Sequence, residues 1–217
     1  MSQQGAISGG NHRFAGGLLL GALASGVLAV ASLGSAGVAN ATCASFSGFH
    51  NGGGCETTDP GDIAIGLGPR TTVRASGGLN TSIAVGADAE ADAFGRRNTS
   101  LALGNGAFGF TQGARNLAVA VGNSGPNGGM ETDDVLVPPS DNAPAQADAE
   151  GTGNRAFEFG RGSLAFALDG PEGSGHNTAI TIGNGSNGVA IGTNRFGAAL
   201  GNNRNAENGV NNVPSAP

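Results

Sequence analysis

The 217 residues contain no lysine, tryptophan or tyrosine, and charged side chains make up only 12% of them. That share is about half the usual one. The ten basic residues are scattered arginines and the pI is near 4.9, which excludes a cationic nucleic-acid binder, so no nucleic acid is expected as a partner. Enzymatic signatures are missing too. There is no G-x-S-x-G elbow, no H-E-x-x-H and no phosphate loop. Only two cysteines and three histidines occur. The expected catalytic, cofactor and metal residues are therefore none.

Glycine is abundant instead, at 42 residues, but it does not fall at every third position, so the chain is not collagen. Apolar residues are 38% of the total and are patterned, which argues against a charged, disordered polymer.

No charge occurs from Phe14 to Val38, and His12-Arg13 precede this run. It ends on Ala39-Asn40-Ala41, a small-x-small site. Residues 1–41 therefore read as a secretory leader cut before Thr42. The rival is an uncleaved anchor, because the run is long enough to span a bilayer, but its many glycines and alanines make it only weakly hydrophobic. Export makes a disulfide the default for Cys43 and Cys55, which flank S-F-S-G-F-H-N-G-G-G. Closing so short a loop contributes ~3 kcal/mol in the chain-entropy account. Zinc would need more ligands than His50 and two thiols. Residues 42–62 read as a stapled cap.

A repeat follows. Residues 77–86 are G-G-L-N-T-S-I-A-V-G, 95–104 are G-R-R-N-T-S-L-A-L-G and 113–122 are G-A-R-N-L-A-V-A-V-G. Asn80, Asn98 and Asn116 are in register, as are Ile83, Leu101 and Val119. Weaker copies lie midway, D-A-F-G at 92–95 and F-T-Q-G at 110–113. The series opens with I-A-I-G at 63–66. It resumes with F-E-F-G at 157–160, F-A-L-D at 166–169, I-T-I-G at 180–183, V-A-I-G at 189–192 and A-A-L-G at 198–201. Apolar residues two apart indicate short strands. Gly66, Gly86, Gly104, Gly122, Gly183, Gly192 and Gly201 are expected to turn the chain with positive φ. Five strand residues and four turn residues give a nine-residue unit, and two units give a coil of 18. The asparagines would stack along the coils. A hexapeptide triangular helix fails, because the period of six is absent, and no unit carries the Asp of a calcium-binding nonapeptide.

The expected fold is all-β: a parallel β-roll or β-solenoid of nine-residue strand-turn units, with blocks at 63–122 and 154–201. Between them, 123–153 reads as a long acidic Pro/Gly-rich loop, and 202–217 as a disordered Asn-rich tail.

The strings S-I-A-V-G, S-L-A-L-G and V-A-I-G resemble the YadA-type head repeats of trimeric autotransporter adhesins, over about 63–122 and 157–201. The resemblance implies a left-handed parallel roll, a host or matrix macromolecule as partner, and a homotrimer. Ala84, Ala102, Ala120 and Ala190 would supply a tight face for packing rolls side by side.

Asp88, Glu90 and Asp92 alternate with alanine and would share one strand face. They could attract a divalent cation or deter edge pairing, and the second reading is preferred. Asp133-Asp134, His50 and His176 have no nucleophile or ligand set beside them in the sequence, and the N-x-S/T triplets at Asn80, Asn98 and Asn184 follow from composition. The expected function is that of an exported, non-enzymatic structural or interaction protein, adhesin-head-like, secreted or at the bacterial cell surface. The alternatives are a β-solenoid polysaccharide-active enzyme and an ice- or surface-binding solenoid. Mass spectrometry of the exported chain is expected to place its first residue at Thr42; retention of Met1–Ala41, or a lipid on Cys43, would contradict the leader.

Overall fold

The computed structural model describes residues 42–51, 53–124, 144–169, 175–209 and 213–214. The expected leader and the stretch 125–143 of the acidic segment lie outside the described residues.

The chain begins with β1 (Thr42–Phe46), β2 (Phe49–Asn51) and β3 (Cys55–Thr57). Next come β4 (Ile63–Leu67), β5 (Thr72–Ser76), β6 (Thr81–Val85), β7 (Glu90–Arg96), β8 (Thr99–Leu103), β9 (Phe108–Ala114) and β10 (Leu117–Asn123). After the undescribed stretch follow β11 (Gln146–Thr152), β12 (Arg155–Arg161), β13 (Leu164–Asp169), β14 (Thr178–Ile182), β15 (Asn187–Gly192) and β16 (Phe196–Leu200). The last are β17 (Arg204–Glu207) and β18 (Val213–Pro214). None of the described residues is helical.

From β4 to β17 successive strands alternate between two nine-stranded sheets, and neighbours within each sheet are parallel. The first sheet runs β16-β14-β12-β10-β8-β6-β4-β1-β2 and the second β18-β17-β15-β13-β11-β9-β7-β5-β3. This is the layout of a β-solenoid. Both ends depart from it, because β1 runs antiparallel to β4 and β18 antiparallel to β17.

Alternation along each strand sends small residues inward. Ser82, Ala84, Ser100, Ala102, Ala118 and Ala120 of the first sheet are fully buried, as are Ala91, Ala93, Ala147 and Ala149 of the second. Ala118 and Ala120 share a buried cluster with Ala147, Ala149 and Ala165 of the facing sheet. Hydroxyls inside this narrow space donate across it: Ser82 Oγ to the Arg74 carbonyl at 2.7 Å, and Thr181 Oγ1 to that of Leu164 at 2.7 Å. The alanines expected to form an outer contact face are therefore the core, and Ile83, Val85, Leu101 and Leu103 project outward, half-buried.

One corner of every coil holds a buried ladder. The amide carbonyl oxygen of Asn80 accepts the backbone N–H of Asn98 at 2.9 Å. Asn98 does the same for Asn116, Asn116 for Asn154, and Asn154 for Asn177, each at 2.8 Å. Asp62 begins the series with Asn80 N–H at 2.8 Å, and Asn177 ends it with Arg195 N–H at 2.8 Å. The amide nitrogens turn to backbone carbonyls, as Asn80 Nδ2 does to Ser76 at 2.7 Å and Gly95 at 2.8 Å, except that Asn154 Nδ2 gives one of its bonds to the Asp169 carboxylate at 2.6 Å. The bonds run from amide to backbone rather than from amide to amide. They also consume the nitrogens of the two triplets at Asn80 and Asn98.

Three expectations are corrected. Residues 146–152 are strand β11 and belong to the second sheet, and the tail contributes β17 and β18. Gly66 and Gly122 lie inside β4 and β10 and are absent from the positive-φ glycines, whereas Gly86, Gly104, Gly183, Gly192 and Gly201 are among them. Gly66 pairs with Ala84, so the turn glycine of that coil is Gly68. Leu79, Arg97 and Arg115 also take left-handed φ, near 60°, without being glycine.

Gly104 has φ 131°, and a Cβ there would collide with the Gly122 carbonyl oxygen of the next coil. Gly78 has φ 110° but open space around it. Gly104→Ala is expected to cost about 1–3 kcal/mol more than Gly78→Ala in urea unfolding; equal losses would mean that close approach between coils is unimportant.

Candidate functional site

Four features stand out from this frame. The first is the acidic trio. Glu90 and Asp92 lie on one face of β7, but Asp88 sits in the preceding turn with φ 55°. Each finds an arginine from the coil before. Arg70 bonds Asp88, and Arg74 Nη1 reaches Glu90 at 3.1 Å and Asp92 at 3.0 Å. The guanidinium of Arg70 holds the Asp88 carboxyl below its ordinary range. Asp92 is pushed up to about 6, first by burial, then by the charge of Glu90, with Arg74 opposing. Among the described residues no group of three His, Cys, Asp or Glu is placed to hold a metal ion. Sequence reasoning missed the arginines, although Arg70 and Asp88, like Arg74 and Asp92, stand one 18-residue coil apart.

Beside the Arg74 ion pairs lies an aromatic group. Phe94 and Phe110 approach at 5.9 Å between ring centres, and Phe108 and Phe110 at 6.2 Å, nearly parallel. Offset and tilted rings at such distances attract one another beyond their buried area.

A third feature is the outer face of the first sheet. Register places Leu67, Val85, Leu103, Val121, Phe159, Ile182 and Leu200 in one column across seven strands. Ile65, Ile83, Leu101, Val119, Phe157, Ile180 and Ala198 form the column beside it. Leu67, Phe159, Ile182 and Leu200, all in the first column, are among the exposed large apolar residues, at 40%, 39%, 49% and 43%. Seven strands at ~4.8 Å spacing make a continuous apolar face roughly 30 Å long.

The fourth feature is Glu158, which the sequence reading passed over. It occupies an inner position of β12, between Ala120 and Thr181, and is fully buried with neither carboxyl oxygen hydrogen-bonded. Burial pushes its carboxyl up to about 9, against a smaller lowering influence from the Val121 backbone. A lone ionised carboxylate here would be too costly, so the group is held neutral. The F-E-F-G string was its only sequence signal: a Glu where the other strings have Ala or Thr.

The remaining expected positions are spread through the fold. His50 lines an open groove beside Cys55, and His176 stands in a left-handed turn before β14. The disulfide joins Cys43 and Cys55. Asp133-Asp134 lie outside the described residues. A comparison with family models, with curated proteins and with solved structures found no match.

Glu158 has a direct consequence for stability. Its folded value lies above the unfolded one near 4.5, so the folded state holds the extra proton. Its favourable contribution is complete below about pH 4.5 and declines as pH rises toward 9. Glu158→Ala, which puts in β12 the alanine seen at Ala84, Ala102 and Ala120, is expected to flatten this decline, so that its stability relative to the parent rises between pH 5 and pH 8. Parallel pH profiles for both proteins in denaturant titrations would contradict a buried neutral acid.

Proposed function

We propose that this is an exported, non-enzymatic structural or interaction protein, secreted or held at the bacterial cell surface, that works as an adhesin-head-like rod. In this reading each coil is two nine-residue strand-turn units, and the acidic Pro/Gly-rich segment is an insertion into one coil. The outer apolar face of the first sheet carries the proposal. Two neighbouring columns of aliphatic and aromatic side chains cross seven of its nine strands, and contiguous apolar area on that scale marks an interaction site. The small interior strengthens the argument. Alanines bury little area each, at about 25 cal/mol per Å², so covering the outer columns would add the larger apolar gain.

Copies pack side by side through this face as a homotrimer, and the second sheet, with its Arg74 ion pairs and phenylalanines, stays outward toward a host or matrix macromolecule. Light scattering on residues 42–217 is expected to give the mass of three chains. Leu103→Glu, in the middle of the exposed column, is expected to give one chain with unchanged strand content by circular dichroism. A parent protein that stays at one chain across a wide concentration range rejects the assembly.

A further inference from the structure

The Cys43–Cys55 bond ties β1 of the first sheet to β3 of the second. These two strands cover the N-terminal edges of both sheets: β1 lies along β4 from Thr42↔Leu67 to Phe46↔Ile63, and β3 along β5 from Cys55↔Val73 to Thr57↔Ala75. The sulfurs also close the end of the interior. Both cysteines share a buried cluster with Ala64, Val73, Ala84 and Ala91. At the inner position where later coils carry Ala84 and Ala102, the first coil has Gly66, because a Cβ there would lie 2.6 Å from Cys43 Sγ. The disulfide fills the space that a methyl group fills elsewhere.

The two halves of the bond differ in access. Cys43 is 2% exposed and backs onto Gly66. Cys55, itself 6% exposed, lines an open groove of about 400 Å³, together with His50, Gly53, Gly54, Glu56 and Arg74. The Arg74 side chain, 45% exposed and paired with Glu90 and Asp92, forms part of the groove wall.

We propose that Cys55 is a thiol-exchange site for small thiols, and that exchange there releases the cap. The thiolate of a small monothiol attacks Cys55 Sγ, the S–S bond breaks, and Cys43 leaves as a thiolate that takes a proton from water. Cys55 is left as a mixed disulfide. A second monothiol resolves it, yielding the Cys55 thiol and the oxidised dimer of the small thiol. The cap then rests on the short β1–β4 and β3–β5 ladders and on a few hydrogen bonds such as that between Ser45 Oγ and Thr57 Oγ1 at 2.6 Å, and its opening uncovers the first strand of each sheet.

The experiment treats the purified oxidised protein with reduced glutathione, quenches by acid, and locates the adduct by peptide mass spectrometry. Hydrogen exchange is then compared between oxidised, reduced and Cys43→Ala/Cys55→Ala protein. The adduct is expected on Cys55, with protection lost over residues 42–76 in both unstapled forms and kept over β8 to β16. An adduct mainly on Cys43, or no adduct while the bond stays intact, overturns the exchange site. Unchanged protection over 42–76, or loss of protection throughout β8 to β16, overturns the releasable cap.

Discussion

Parallel coils leave a backbone problem at the corner before each strand of the first sheet. The chain must turn sharply, and the peptide groups it turns through are shielded from water while the strands on either side already use their own hydrogen bonds. The asparagine ladder solves it. One side chain per coil offers a carbonyl oxygen to the next coil's backbone and two N–H donors to carbonyls of its own and the next coil, as Asn98 does for Asn116, Phe94 and Gly113. No smaller polar side chain supplies that combination, and an alanine would strand several buried groups at once. The strand register depends on this corner, and so does the set of residues that face inward.

With the corner fixed, the two sheets close over side chains of minimal size. The interior is mostly alanine, serine, threonine and glycine, so the layers sit close and hydroxyls can reach across to carbonyls. Large apolar residues have no room inside and stand on the outer faces. Val73 and the disulfide at the N-terminal end, and Glu158 in β12, depart from the size rule, and the Glu158 carboxyl is kept neutral by the same dry, narrow space. The glycine columns belong to this economy of space as well, since neighbouring coils touch backbone to backbone there.

Much of the fold was legible in the repeat itself. Asn80, Asn98 and Asn116 at equal spacing, with alternating apolar residues after them, implied short strands in stacked parallel coils. Their continuation to Asn154 and Asn177 was hidden because these steps are 38 and 23 residues rather than 18. The facing of the strands was misread for a physical reason: hydrophobic alternation says which residues share a face, and size is the usual guide to which face is inside. Here the spacing of the sheets reverses that guide. Gly66 was misassigned because it stands beside strand-like residues for a different reason, the volume of Cys43. The ion pairs of Arg70 and Arg74 were readable once the period was applied to charges as well as to apolar residues. Nothing in the local pattern marked Glu158 as neutral, because that follows from burial alone.

The steps of 38 and 23 residues carry a further meaning. In both, the strands on either side return to register, Val119 opposite Phe157 and Phe157 opposite Ile180, and the ladder continues unbroken. Extra chain is taken up at a corner and is not transmitted along the axis. The stack of coils therefore behaves as a mounting rail. A segment at a corner can be lengthened or shortened while the coils above and below keep their alignment, because the register on either side does not depend on its length.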